Sequence, residues 1–163
     1  MPNWCEGKLK IRGNRENIVR FIEEGLICIE NDKETEKLTQ IEVFADGSIN
    51  IKINKQSGSE VNWLWIKNSQ RNFIDLDDEI SITESREPNK YITILNLRGA
   101  WDIDVQALLK LSGKFKLSFK AYCFESGACF NKDIIITNGL LVKNQTIEFE
   151  DYEWECIDPT IGG

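Results

Sequence analysis

Polar and apolar residues alternate in the first strand-like segment of the chain, "GKLKIRG". Leu9 and Ile11 occupy every second position there, and Lys8, Lys10 and Arg12 lie between and around them. Because successive side chains of a β-strand point to opposite faces, this alternation predicts a strand with one buried face and one polar face. The chain therefore begins with a half-buried strand.

Two later segments carry apolar residues at helical spacing. The apolar positions are Ile18, Phe21 and Ile22 in the first segment, and Val105, Leu108, Leu109 and Leu111 in the second. Such a stripe is typical of a helix that packs against a core. The expected ends are an N-cap at Asn14 and a stop at Gly25 for the first helix, and an N-cap at Asp102 or Asp104 and a stop at Gly113 for the second.

Most of the remaining segments have strand-like alternation. Asp46-Gly47 and Asn138-Gly139 each separate two such segments, and both dipeptides favour the positive-φ turns of β-hairpins. Residues 146–163 alternate apolar and acidic side chains, which predicts an edge strand protected by its charge. The order strand, helix, strands, helix, strands predicts an α+β fold with a mainly antiparallel sheet.

The composition limits the classes of protein to which the chain can belong. A chain of 163 residues with 41% hydrophobic and 29% charged residues is expected to form one domain or two small lobes. No apolar run approaches the roughly 20 residues that a membrane-spanning helix needs. The N-terminus also lacks the apolar region of a secretory signal. We therefore expect a cytoplasmic protein without a membrane partner.

The charge and the missing histidine narrow the function classes further. The net charge is −7, and the chain contains no His. An acidic chain is a poor candidate for direct nucleic-acid binding, which requires clustered Lys and Arg. Without His, Ser–His and Cys–His nucleophile pairs are excluded, and the commonest metal ligand is missing. We expect no enzymatic activity, no cofactor and no metal site.

The Cys residues give little indication of function. Five Cys residues without an export signal favour reduced thiols in a cytoplasm. Cys5 is either a nucleophile or a small buried residue at the end of the sheet, with Trp4 covering it, and the second reading is favoured. Cys123 and Cys129 are interpreted as structural thiols, with a redox pair as the alternative.

Two parts of the sequence resemble a known family. The opening "PNWC", followed by "GKLKIRG", resembles the start of the YubB-type ferredoxin-like domain family of phages, plasmids and other mobile elements. The resemblance returns with Ala100-Trp101, the second helix, "FKLSFKAYCFESGACFNKDIIITNG" and its Asn138-Gly139 turn. It covers roughly residues 2–25 and 99–143 of the chain.

That resemblance implies a ferredoxin-like core with two helices on one face of a mainly antiparallel sheet. It implies no established enzymatic activity. The middle of the chain departs from the family, because Asn62-Trp63 is followed by Leu64-Trp65 where members often carry other residues. Residues 30–98 are therefore interpreted as a divergent β-rich insertion or a second small lobe of an otherwise single domain, 1–163.

Acidic side chains form two candidate partner-binding clusters. Their members are Asp75, Asp77, Asp78, Glu79, Glu148, Glu150, Asp151, Glu153 and Glu155. The first cluster lacks the Gly and the terminal Glu of a calcium loop, so a solvated loop is favoured over a cation site. The second cluster either protects a sheet edge or imitates nucleic-acid phosphates and docks on a basic groove.

The leading functional hypothesis is a mobile-element protein that works by binding. In this hypothesis the acidic surface inhibits a host defence protein, such as a CRISPR-type nucleic-acid-guided nuclease. A second hypothesis is a protein that sequesters a nucleotide signal in a pocket lined by Trp63, Trp65 or Trp101, since aromatic rings stack on bases. A third is a carboxylate enzyme that uses a divalent ion, and a fourth is an accessory domain. The oligomeric state stays open.

Overall fold

The computed structural model describes residues 2–30, 33–55, 62–77 and 79–163. Within these ranges the chain forms twelve strands, three α-helices and one π-helical turn. The strands are β1 (Trp4–Gly13), β2 (Leu26–Glu30), β3 (Lys33–Thr35), β4 (Lys37–Val43), β5 (Ile49–Lys55), β6 (Trp63–Ile66), β7 (Asn72–Asp75), β8 (Ile80–Glu84), β9 (Tyr91–Ala100), β10 (Ser118–Glu125), β11 (Phe130–Thr137) and β12 (Leu140–Glu148). The helices are α1 (Arg15–Arg20), α2 (Val105–Phe115) and α3 (Tyr152–Glu155), and the π-helical turn (Phe21–Gly25) continues α1.

The strands form one large open sheet with a side branch. The main order is β12-β11-β10-β1-β9-β7-β6-β2-β3, and β4, β5 and β8 form a branch that joins β9 through β8. Every strand pair within the described ranges is antiparallel. The predicted α+β fold with a mainly antiparallel sheet is therefore confirmed. The separate lobe suggested for residues 30–98 stays a prediction.

The first two helices cover one face of the sheet around β1. Leu9 and Ile11, the apolar positions of the first strand, are fully buried on that face. Phe21 of the π-helical turn packs edge to face against Phe115 and Phe119, with ring centroids 5.8 and 5.4 Å apart. Because burial of each large apolar side chain contributes roughly 1.5–3 kcal/mol, this aromatic contact is a strong link between the two helices and the sheet.

The predicted helix ends are right at three of four places. α1 starts after Asn14 and the π-helical turn ends at Gly25. In α2 the side chain of Asp104 accepts a hydrogen bond from the backbone N–H of Ala107 at 3.1 Å, as an N-cap does. The stop predicted at Gly113 is wrong, because α2 continues to Phe115. Burial of Phe115 in the aromatic contact holds the last turn in helical form.

Both hairpin turns are confirmed, whereas the predicted C-terminal edge strand is right for residues 146–148 and wrong beyond Glu148. Gly47 and Asn138-Gly139 have positive φ angles at the turns between β4 and β5 and between β11 and β12. The sheet edge is β12, and the acidic segment after it forms the helical turn α3. The reason is the burial of Tyr152 and Cys156, whose spacing of four residues suits one helix face.

Cys5 is a core residue, as the favoured interpretation predicts. Its side chain is fully buried. A hydrogen bond to Cys123 and burial raise its pKa, which disfavours a reactive thiolate. The predicted cover by Trp4 is wrong, because Trp4 packs against Phe73 and Arg98 on the opposite face of the sheet. Adjacent residues of a strand point to opposite faces, so the two side chains separate.

All five cysteines are thiols without a disulfide bond, and four of them are buried. We expect one thiol per chain to react rapidly with a small disulfide reagent at pH 8, namely the partly exposed Cys129. The other four thiols should react only after denaturation. Absorbance kinetics with and without denaturant measure this, and Cys129→Ser should remove the fast phase. Two or more fast thiols in the native protein would contradict the buried positions.

Candidate functional site

The second face of the sheet carries no α1 or α2. Along β1 the side chains alternate between the two faces. Lys8 and Lys10 are exposed on this face, and Leu9 between them is buried on the other. Part of this open face is covered by the segment that follows β12. We call residues 148–158 the C-terminal knob. Within the described ranges, no helix is long and apolar enough to cross a membrane.

Asn131 fastens the knob to the open face. Its side chain is fully buried, and its Oδ1 accepts a hydrogen bond from the Tyr152 hydroxyl at 2.8 Å. Its Nδ2 donates to the Tyr122 hydroxyl at 3.2 Å and to the Cys156 Sγ at 3.4 Å. One buried amide on β11 thus binds two residues of the knob and one ring of the sheet. Nothing in the local sequence around Asn131 marks this role.

The surroundings of Tyr152 and Cys156 shift the pKa of both side chains. Burial is the main cause that raises the pKa of the Tyr152 hydroxyl. Burial also acts to raise the pKa of Cys156, but hydrogen bonds from Tyr152 and Asn131 outweigh it and lower that pKa overall. Tyr152 therefore stays a neutral hydrogen-bond donor at ordinary pH, which keeps the attachment intact.

The outer surface of the knob is acidic and carries two exposed apolar residues. The side chains of Trp154 and Ile157 are 86% and 88% exposed. The predicted acidic residues of the second cluster are all exposed around them, namely Glu148, Glu150, Asp151, Glu153 and Glu155. Within the described ranges, no Lys or Arg forms an ion pair with any of these carboxylates. The structure therefore gathers this predicted cluster on one free surface.

Two carboxylates of the knob are already occupied. The Oε2 of Glu155 accepts hydrogen bonds from the backbone N–H groups of Glu150 and Asp151 at 3.0 and 3.2 Å. Glu155 therefore shapes the turn and Asp158 accepts hydrogen bonds from Thr160, whereas Glu148, Glu150, Asp151 and Glu153 stay free for contact. The prediction did not include Trp154 or Ile157. The four-residue spacing of Tyr152 and Cys156 places Trp154 on the opposite side of a helical turn, whereas Ile157 follows the turn and has no such signal.

The first acidic cluster lies elsewhere on the sheet. Asp75 forms an ion pair with Arg98 at 3.1 Å, and burial is the main cause that raises the pKa of its carboxyl group. Asp77 accepts a hydrogen bond from Asn96 at 3.2 Å, and Glu79 is exposed. Asp78 lies outside the described residues. No contact within the described ranges joins this cluster to the knob, so the two predicted clusters are separate surfaces.

Metal binding gains no support from these carboxylates. In the described part of the chain, no group of three or more Asp, Glu, Cys or His side chains is arranged to hold a metal ion. The partner of Asp75 is a guanidinium group, which competes with a cation.

Trp63 and Trp65 share one face of β6, as predicted, but that face is the open one. Their ring centroids are 5.7 Å apart, and Phe73 contacts both at 5.3 and 4.3 Å. Packing of these rings against a helix, the favoured interpretation, is therefore wrong. The third predicted residue, Trp101, is 61% exposed, and no ring contact within the described ranges joins it to the others. The structure joins Trp63 and Trp65 by ring contact, and a nucleotide pocket lined by Trp63, Trp65 or Trp101 stays a prediction.

Comparisons with known proteins returned no match. No protein-family model matches the chain, and neither a curated protein nor a solved structure matches it significantly. The resemblance to the YubB-type family stays a prediction.

Proposed function

We propose that this protein is a non-catalytic binding protein whose C-terminal knob docks on a basic surface of a nucleic-acid-binding partner. The observation that carries the proposal is the exposure of Trp154 and Ile157 among carboxylates that lack basic partners within the described ranges. Binding energy at protein interfaces concentrates in a few anchors, and Trp is enriched among them. The knob combines such an anchor with a charged rim.

The charge of the knob suits a partner that normally receives phosphates. A row of carboxylates presents negative charge to a basic groove much as a nucleic-acid backbone does. Complementary charge mainly accelerates association and selects the partner, whereas the buried anchor slows dissociation. Association should therefore slow as salt is added, because surface charges are screened over about 10 Å at 0.1 M ionic strength.

Occupation of such a groove would inhibit the partner. The resemblance to proteins of phages and plasmids supports a host defence protein of the bacterial cytoplasm, such as a CRISPR-type nucleic-acid-guided nuclease, as the partner. The missing His supports a role without catalysis.

We also propose that the core is ferredoxin-like. The strand–helix–strand units β1-α1-β2 and β9-α2-β10 support this, as does the order β10-β1-β9 followed farther along by β2. The β6–β7 hairpin inserted between β9 and β2 is the departure from a four-stranded version.

Removal of the anchor is the first test of docking. Trp154→Ala should weaken binding at least about 30-fold, because truncation of an interface anchor costs about 2 kcal/mol or more. The measurement is biolayer interferometry against the protein that the wild type captures from nuclease-treated bacterial lysate. Leu140→Ala, at a site 71% exposed on β12, is the matched control and should bind like the wild type.

Charge reversal tests the rim separately. The triple variant Glu150→Lys, Asp151→Lys and Glu153→Lys should slow association and remove most of its salt dependence. The triple variant Glu36→Lys, Glu42→Lys and Glu84→Lys, at three exposed positions outside the knob, has the same change in net charge and is the control. Wild-type affinity in Trp154→Ala, or a captured protein that disappears when the lysate is treated with nuclease, would refute docking through the knob.

A further inference from the structure

Four basic side chains stand together on the open face of the sheet. Lys8, Lys10 and Arg12 occupy alternate positions of β1, and Lys120 lies on the neighbouring strand β10. All four are exposed. In the strand register Lys10 is directly opposite Lys120, so their side chains emerge side by side. We call these four residues the basic row.

The charge of the basic row is largely uncompensated. Like charges directly opposite each other destabilise a strand pair. Within the described ranges neither Lys10 nor Lys120 forms an ion pair, whereas Arg12 pairs with Glu87 at 3.0 Å. Lys8 donates a hydrogen bond to Asn96, a neutral group. A structure that keeps two lysines opposed without a carboxylate is suited to bind an anion between them.

Rings and apolar side chains lie next to the basic row. Tyr122 is the register partner of Lys8, and its ring lies 5.2 Å from that of Phe124. A hollow of about 520 Å³ lies over Lys8, Lys10, Tyr122 and Phe124, and its lining also includes Glu6 and Asp75, which are both paired with Arg98. A second hollow of about 260 Å³ lies over Lys10, Arg12, Lys120 and Ile135. Lys10 lines both hollows, so they are neighbours along β1.

We propose that this open face binds single-stranded nucleic acid. The basic row receives phosphates, with one phosphate between Lys10 and Lys120, and the exposed side of Tyr122 stacks on a base. Positive grooves with aromatic platforms are the general means of binding single strands. In a duplex the faces of the bases are stacked on one another, so the Tyr122 ring has no base to stack on.

The length of the row favours a strand over a free mononucleotide. Lys8 and Arg12 are four residues apart on β1, which corresponds to about 13 Å at about 3.3 Å per residue. A single phosphate group reaches only one part of such a row. The hydrogen bond from Asn131 to the Tyr122 hydroxyl also holds the ring in place, which lowers the entropy cost of stacking.

This inference revises the expectation drawn from net charge. The total of −7 is a sum over the whole chain and does not describe the basic row, although the knob is attached beside Tyr122 through Asn131. Attraction to phosphates depends on the local cluster, while exposed carboxylates farther than about 10 Å from it are largely screened at 0.1 M ionic strength. The inference goes beyond the proposed function, because docking through the knob does not require it.

The test is fluorescence anisotropy with a labelled 12-nucleotide single strand, as DNA and as RNA, at several salt concentrations. The double variant Lys10→Glu and Lys120→Glu should bind at least about 10-fold more weakly than the wild type. The slope of log K against log salt should fall by about 0.7, since Lys10 and Lys120 together hold one phosphate and each phosphate contact to a single strand contributes about 0.7. The control is Lys33→Glu with Lys110→Glu, two exposed lysines on β3 and α2 away from the basic row, with the same change in net charge.

Tyr122 separates stacking from charge. Tyr122→Leu should lose about 10-fold in affinity without a change in salt slope, because stacking contributes about 1–3 kcal/mol per base. Tyr122→Phe keeps the aromatic ring and should keep most of the affinity. The proposal would be overturned if the wild type did not bind at about 20 mM salt, because attraction to phosphates is strongest at low salt. Equal losses in the control variant, equal competition by inorganic polyphosphate, or tighter binding to duplex would also overturn it. A salt-sensitive dimer that the Lys10→Glu and Lys120→Glu variant dissociates would assign the face to a second copy instead.

Discussion

Gly7→Ala is expected to prevent stable folding. A Cβ atom at this position of β1 would lie 2.0 Å from the backbone oxygen of Tyr122 and 2.8 Å from the Cα of Cys123. Both atoms belong to the backbone of β10, so no side chain can move aside. The two central strands would have to separate, with loss of their ladder of hydrogen bonds. We expect a loss of more than about 4 kcal/mol in the free energy of unfolding.

Gly113→Ala supplies the matched control with the opposite sign. The added Cβ atom in α2 would meet the Cα of Gly139 at 3.4 Å, an ordinary contact distance. Ala is better than Gly in a helix interior by roughly 0.5–1 kcal/mol, so this variant should be slightly more stable than the wild type. Urea denaturation followed by circular dichroism measures both variants. A Gly7→Ala protein within 1 kcal/mol of wild type, a small change on the usual scale of about 0.5–3 kcal/mol, would contradict the close β1–β10 contact.

Asn131→Leu is expected to detach the C-terminal knob while the sheet stays folded. The substitution removes the acceptor of the Tyr152 hydroxyl and the donor to Cys156. A buried hydroxyl left without a partner costs about 1–3 kcal/mol. The other attachments are a backbone hydrogen bond from Phe149 to Cys129 before α3, and hydrogen bonds of Gly162 and Gly163 with Ser126 and Trp4 after it. The four-residue turn between these two points is therefore the part that opens. Detachment should expose Cys156, whose side chain is 5% exposed in the folded protein.

Thiol labelling of Cys156 reads out this detachment directly. In a Cys129→Ser background, Asn131→Leu should raise the labelling rate of Cys156 by about 10- to 100-fold, which corresponds to about 1.4–2.8 kcal/mol. Cys5, Cys28 and Cys123 should stay protected, and mass spectrometry of peptides distinguishes them. Asn144→Leu on β12, an exposed Asn, is the control. Labelling of Cys156 at the wild-type rate, or simultaneous labelling of the core cysteines, would contradict a local attachment through Asn131.

The same variant separates the two proposed surfaces. Loss of the knob should abolish docking on a basic partner, because Trp154 and the carboxylates lose their fixed arrangement. The basic row on β1 and β10 does not depend on that attachment, apart from the hydrogen bond that Asn131 donates to Tyr122. Binding of single strands should therefore keep its salt slope in Asn131→Leu. The combined result distinguishes failure of one proposal from failure of the other.

Local patterns were enough to predict most elements. The alternation of Lys8, Leu9 and Lys10 predicts β1 with its correct buried face, because the period of two follows from backbone geometry. The positive-φ turns at Gly47 and Gly139 are also local, since glycine adopts that conformation at little cost. The acidic side chains of the knob were correctly placed at the surface, because ionised carboxylates are rarely buried without a partner.

Local sequence patterns were therefore enough for most of the elements, for the buried face of β1 and for the sign of charge near the C-terminus. The helical turn after β12 and the contacts between distant side chains depend on the folded chain. Lys10 and Lys120 are 110 positions apart and become neighbours through the register of β1 and β10. The turn that exposes Trp154 forms because Tyr152 finds Asn131 on β11. Such contacts depend on burial and hydrogen bonding between distant segments, which a local pattern does not encode, and they create both proposed surfaces.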